Sequence, residues 1–368
     1  MKYWRGYLIA GIVAAITWAL TEFAKTHSEL MDMVYPYVTR MIQSFLAGWS
    51  GGAAFCVWQV LLLLGAVLVL ASLVLMIVFK WNPIQWFGWI LAGVCLVSFL
   101  NTAVYGLNAH ASALAEDIRL TNAEYRYNVK ELEEAAIFYR DKANELASQV
   151  KRDDNGNLDY SDFQTLAQQA ADGYKDLYKE QYYAVFAGSL EPVKELGWSD
   201  YYTKRGITGT TVALTGESAV NPNIPEVSLP FAMCHEMAHR MTIAVDRDAD
   251  FAAYLACTSN VSVEFQYSGY LIAYMSCYDV MKTLETEDGR AALSSLEAGM
   301  TDLVKQDIGT YEDFFGSSPA VDAELCDLLV VWHIYKYGQA LNQGDEENVF
   351  DPLDENAVDL TTTVIDRQ

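Results

Sequence analysis

The chain is short of positive charge, short of histidine, and without paired cysteines. Its 24 Lys+Arg stand against 48 Asp+Glu, for a formal net charge of −24. Five of those basic residues and three of the acidic ones precede residue 107, so the remainder carries −26. A field of that sign repels nucleic acid and anionic lipid and favours cationic partners. None of the six cysteines belongs to a C-x-x-C pair, so neither a cysteine metal site nor a disulfide framework is indicated. Cys56 and Cys95 lie in apolar runs. Cys234, Cys257, Cys277 and Cys326 read as small buried residues, with one disulfide open to them if that part of the chain lies outside the cytoplasm. No internal repeat is visible.

Charge is also nearly missing from three stretches of the first 107 residues. Residues 3–20, 54–79 and 83–107 are long and apolar enough to cross a bilayer as helices. The first lies behind Lys2 and Arg5 and is followed by no clear A-x-A cleavage site, which favours an uncleaved signal-anchor. Residues 22–52 read as a polar-to-amphipathic loop lying at the membrane interface. Lys2, Arg5 and Lys80 mark the cytoplasmic side, and three crossings then put residues 108–368 on the extracytoplasmic face.

What remains divides into a helical connector over 108–200, a core over 201–345 and an acidic tail over 346–368. Helical spacing over 108–150 predicts one long helix continuing from the third crossing, and a second helix is expected over 161–183. Between them, Asp153-Asp154-Asn155-Gly156-Asn157 has part of a calcium loop. However, Lys151 stands where such a loop needs its first carboxylate, so the segment reads as a turn. β-branched residues bounded by Gly206, Gly209 and Gly216 predict one or two short strands. Three more helices are expected over 264–286, 290–306 and 319–340. The fold class is mainly α (α+β), with a short β element before the helix that carries the chemistry.

That helix contains two of the five histidines. His235-Glu236-Met237-Ala238-His239 reads H-E-x-x-H. Four residues apart on a helix, the two imidazoles share a face and can hold one metal ion, while Glu236 can move protons as general base. Ser228 is placed to cap the helix, and Pro230 suits its first turn. Asp246, Asp248 and Asp250 follow, and one of them is expected as third ligand. An edge strand ahead of the helix could receive an extended peptide as a further strand. For a developing oxyanion, Tyr254, Tyr267 and His333 are candidate donors, although aromatics at helical spacing usually belong to the core. Glu217 either orients a ligand or caps a turn.

GITGTTVALTGESAVNPNIP, LPFAMCHEMAH, the acidic cluster, DFAAYLAC and FQYSGYLIAY together resemble an uncharacterised family of bacterial membrane-anchored zincin-like proteins, a domain of unknown function. The resemblance implies a Zn²⁺ metallopeptidase with His235 and His239 as zinc ligands and Glu236 as catalytic residue. Asp246-x-x-Ala249-Asp250 is similar to the E-x-x-A-D element of the prenyl-protein proteases, which implies Asp246 as ligand and Asp250 as its supporting partner, with Asp248 as the alternative. Thr242 stands where the family pattern has Gly. The expected function is hydrolysis of peptide or protein substrates at the membrane. A sensor or scaffold that keeps the metal only for folding is the competing class.

Overall fold

A computed structural model describes residues 2–118, 120, 127–181, 183–316 and 323–338. The acidic tail expected over 346–368 lies outside the described residues. Three helices are long and apolar enough to cross a membrane: α1 (Arg5–Thr26), α3 (Val57–Val78) and α4 (Pro83–Val104). α1 packs along α4 through small buried residues one turn apart, Gly6 and Ala10 on one helix and Gly88 and Ala92 on the other. A Cβ added at Gly6 would lie 2.3 Å from the carbonyl carbon of Gly88, so only glycine permits this approach.

Residues 22–52 are not a loop. α1 runs through to Thr26, His27 alone interrupts the chain, and α2 (Ser28–Gly51) follows at once. The cause lies in its spacing. Thr39, Arg40, Gln43, Ala47 and Ser50 recur at helical intervals and are buried, whereas Met33, Tyr37, Met41, Phe45 and Trp49 point outward.

The single long helix expected over 108–150 is also broken. After α4 come a 3₁₀ segment (Gly106–His110) and the one-turn α5 (Leu114–Asp117). The Leu114 amide donates to Asp248 Oδ2 at 2.9 Å, which holds the chain out of a continuous helix. α6 (Val129–Ala147) then starts on a capping box in which Asn128 and Glu131 satisfy each other's backbone amides. The Asp153–Asn157 stretch is a turn: Asp153 Oδ1 accepts from the amides of Asn155 and Asn157, and Gly156 takes φ +82°.

The remaining helices are α7 (Phe163–Gln181), the short α8 (Ser199–Thr203), α9 (Leu229–Arg240), α10 (Asp246–Ser259), α11 (Val263–Thr283), α12 (Glu287–Ala298), α13 (Asp302–Phe315) and α14 (Ala323–His333). They enclose one core, to which α6, α7, α9, α10, α11 and α14 contribute fully buried side chains. A small sheet lies against α9. Its strands are β1 (Lys194–Glu195), β2 (Gly209–Val212) and β3 (Glu217–Val220), in the order β1-β3-β2. β1 runs parallel to β3 and β2 antiparallel to it, with Thr211 opposite Ser218. β2 is therefore an edge strand.

The membrane-type helices and the domain are tied together at several points. Gly216, at φ +65° in the β2–β3 turn, sits on the backbone of α2, where a Cβ would lie 2.5 Å from the Ala47 amide nitrogen. Gln43 Nε2 donates to the Ala213 carbonyl at 3.1 Å. Glu217 neither orients a ligand nor caps its own turn. It is buried and accepts from the amides of Val57 (2.7 Å) and Trp58 (2.9 Å), which caps the first turn of α3, and it pairs with Lys194.

Candidate metal centre

α9 brings His235, Glu236 and His239 together. Ser228 stands at the N-cap position but does not cap. A 3₁₀ turn (Glu226–Ser228) feeds straight into the helix, leaving Ser228 with helical φ −86° and ψ −20°. Ser268 Oγ accepts from the Phe231 amide instead, at 3.3 Å. The helix ends on Thr242, a β-branched residue at φ +77°. The Thr242 amide donates to the His239 carbonyl and the Ile243 amide to the Ala238 carbonyl, the bond pattern of a left-handed helix terminator. That turn reverses the chain and starts α10 at Asp246.

Each imidazole is oriented through Nδ1. His235 Nδ1 bonds Asp250 Oδ1 at 2.6 Å, and His239 Nδ1 bonds the Ile243 carbonyl at 2.8 Å. Fixing Nδ1 in this way leaves both Nε2 atoms for a ligand. The rings stand perpendicular with centroids 4.6 Å apart. Asp246 Oδ1 lies 3.3 Å from His239 Nε2, close to the edge of a tetrahedron with arms of about 2.1 Å. One ligand atom from each of His235, His239 and Asp246 falls within 4.8 Å of the other two. Two imidazoles and a carboxylate are a donor set that suits Zn²⁺ and other divalent ions.

The three acids after the helix take separate places. Asp246 faces the histidines and Asp250 braces His235. Asp248 is buried and turned away, accepting from the Leu114 amide and pairing with Arg247 at 2.8 Å. Of the expected oxyanion donors, Tyr254 is in the core against Tyr139, Tyr267 donates to Asp307, and His333 packs on Phe138 and Tyr337. None of them lines the cavity at the candidate centre.

That cavity, about 430 Å³, is lined by His235, Glu236, His239 and Asp246, by β2 with the loop leading into it, and by Tyr105. Tyr105 follows the last residue of α4, so a residue next to a membrane-type helix forms part of the wall. Burial and the nearby carboxylates of Glu236 and Asp246 hold its phenol well above the usual range, in the protonated form. A second cavity of about 330 Å³ shares Thr208 and His235 with the first and continues between Phe231, Ile272, Met275 and Phe315.

Glu236 is 5% exposed. It accepts from Thr211 Oγ1 at 2.7 Å, and its carbonyl accepts from Ser218 Oγ, also at 2.7 Å. A Cβ at Gly209 would lie 2.6 Å from Glu236 Oε1, so this glycine makes room for the carboxylate. Burial raises the Glu236 pKa, and the two imidazoles and Thr211 only partly offset it. For His235, burial opposes the charged ring, but the bond and charge of Asp250 outweigh it and lift the pKa to about 9. The hydrogen bond from His239 holds Asp246 below the usual carboxylate range.

Fold and site together define a class: a helix-rich domain with a braced His-Glu-His helix, docked on helices long and apolar enough to cross a bilayer. Within that class the chain has a family. Residues 31–327 match the family described as a protein of unknown function (DUF3810), and the chain belongs to it. No curated protein and no solved structure matches the chain.

Proposed function

We propose that this protein is a membrane-anchored zinc peptidase whose metal ligands are His235, His239 and Asp246. The observation that carries the reading is the convergence of these three groups, with each imidazole held by its own support, beside a buried carboxylate and an edge strand. A divalent ion bound there would polarise a carbonyl and acidify a water.

The chain's own residues do the rest. Glu236, kept in low-dielectric surroundings and oriented by Thr211, takes the proton of the attacking water and returns it to the leaving amine. β2 receives the peptide as an added strand along its free edge. Tyr105 donates its phenolic hydrogen to the developing oxyanion. The cavity beyond His235, lined by Phe231, Ile272 and Met275 together with Asp250 and Asp279, takes one substrate side chain. The distribution of Lys2, Arg5 and Lys80 supports an extracytoplasmic position for the domain.

The competing class is a metal-stabilised sensor or scaffold. A structural zinc site closes all four positions with protein ligands, whereas only three such groups converge among the described residues, which favours the enzyme.

The test is Glu236→Gln in the full-length protein, assayed for zinc content and for cleavage of a peptide library. Zinc stays near one equivalent, while cleavage falls by about 10²–10⁴-fold. Unchanged cleavage removes Glu236 from the mechanism, and no cleavage by the unsubstituted protein removes the peptidase reading.

A further inference from the structure

The cleft lies on the side of the domain that meets the membrane-type helices, and three observations place it there. The first is α2. One of its faces holds the domain, through Gln43 to Ala213 and Arg40 to Met241. The opposite face exposes Met33, Tyr37, Met41, Phe45 and Trp49. One residue separates α2 from α1, and a few residues separate it from α3, so this apolar face is continuous with helices that belong in lipid. Its occupant is the bilayer surface, where a helix of this kind lies in the plane of the headgroups.

The second observation is α8 and its flanks, beside the first turn of α3. Gln59 of α3 donates to the Gly197 carbonyl at 2.9 Å. The neighbouring Trp198 and Tyr201 are 47% and 52% exposed, and the Arg205 guanidinium lies 3.6 Å from the Tyr201 ring centroid. Exposed aromatics with a cation suit headgroup depth, and the chain runs directly from this patch into β2. The third observation is Tyr105, which puts the end of α4 in the wall of the cleft.

α9 rests on α2, and a helix is about 10–12 Å across with its side chains. The candidate centre therefore stands roughly one helix diameter above the apolar boundary, a few ångströms beyond a headgroup layer of about 5–8 Å. An extended chain leaving the bilayer covers that distance in about 3–5 residues, at roughly 3.3 Å each.

We infer that the substrate is a polypeptide carrying its own membrane-spanning segment, cut within a few residues of the point where it leaves the lipid. This rests on the peptidase reading above and names its substrate class. A free soluble chain would have to enter a cleft pressed against the membrane surface, whereas a tethered chain is delivered to it by lateral diffusion.

The experiment uses the full-length protein in phosphatidylcholine vesicles. The probes are synthetic peptides with one Leu/Ala membrane span, Gly/Ser linkers of about 5, 15 or 30 residues, and a mixed-sequence reporter, compared with the reporter alone. Cleavage of the short-linker probe should exceed that of the long-linker probe by about tenfold or more, because the long linker dilutes the reporter at the depth of the cleft. Equal cleavage at all linker lengths, or faster cleavage at longer ones, overturns the inference and leaves the peptidase reading standing. Absence of cleavage of every probe and of the free reporter brings down both.

Discussion

Arg40 Nε donates to the Met241 carbonyl at 3.1 Å, joining the polar face of α2 to the C-cap of the His-Glu-His helix, one residue before the Thr242 turn. The same guanidinium donates through Nη1 to the Ala184 carbonyl at 3.1 Å, and Arg40 is buried. A cation at a helix C-terminus is favourable, and here it also fixes the turn that carries Asp246 back to the histidines.

Arg40→Met keeps the bulk of the side chain and removes both charged donors. The expected loss is about 2–4 kcal/mol in stability, with weaker zinc retention, since two buried carbonyls lose their partner. Thermal melting and zinc content of the full-length protein in detergent micelles check it. Arg40→Lys should fall between the two, because an ammonium lacks the guanidinium's fork geometry.

The three acids of α10 should separate in a zinc-competition assay with a chelator. Asp246→Ala removes a proposed ligand and loses stoichiometric zinc. Asp250→Ala frees the His235 ring and weakens zinc by about 10–100-fold, the usual cost of losing such a brace. Asp248→Ala keeps its zinc but loses about 2 kcal/mol of stability, because the Leu114 amide loses its acceptor. Retention of full zinc by Asp246→Ala would move the ligand assignment elsewhere.

Much of this was legible in the sequence, for reasons that particular residues make plain. Apolar runs have little alternative to a membrane-type helix, and the four-residue spacing of His235 and His239 has one geometric meaning on a helix. The β-branched residues between Gly206 and Gly216 mark β2, whereas the two-residue β1 carries no such signal. What could not be read was which distant groups meet. Nothing local in Tyr105 tells of a cavity that α9 and β2 build more than a hundred residues later. Glu217 reads equally as a ligand-orienting or a turn-capping residue because its partners, the amides of Val57 and Trp58, lie on a helix assigned to the membrane. α2 was missed as a helix because it alternates two chemistries: Arg40 and Gln43 read as loop polarity until the domain beneath them is known.

Tyr105→Phe removes one hydroxyl from the cavity wall and leaves the ring. If the phenol serves the oxyanion, kcat should fall by about 10²-fold or more with KM and zinc content unchanged. Steady-state kinetics on a peptide identified in the library digest would show it. A fall in melting temperature with unaltered kcat would instead make Tyr105 a packing residue between α4 and the domain.

Thr242→Gly should raise stability. A β-branched residue at φ +77° carries left-handed strain of about 1–2 kcal/mol, and Thr242 Oγ1 is buried with no hydrogen-bond partner. Glycine removes both penalties and loses about 0.5–1 kcal/mol to the freer unfolded chain. The net gain is about 1 kcal/mol, or a melting temperature higher by about 2–4 °C. Zinc should stay bound, because the Ile243 carbonyl that orients His239 keeps its position. Thr242→Pro makes the opposite case. It deletes the amide that donates to the His239 carbonyl and forbids positive φ, so the turn, the orientation of His239 and the return of Asp246 should fail together. A melt and a zinc titration on the two variants separate strain at this residue from a need for its side chain: a Gly variant that loses zinc would assign the threonine itself a part in the centre.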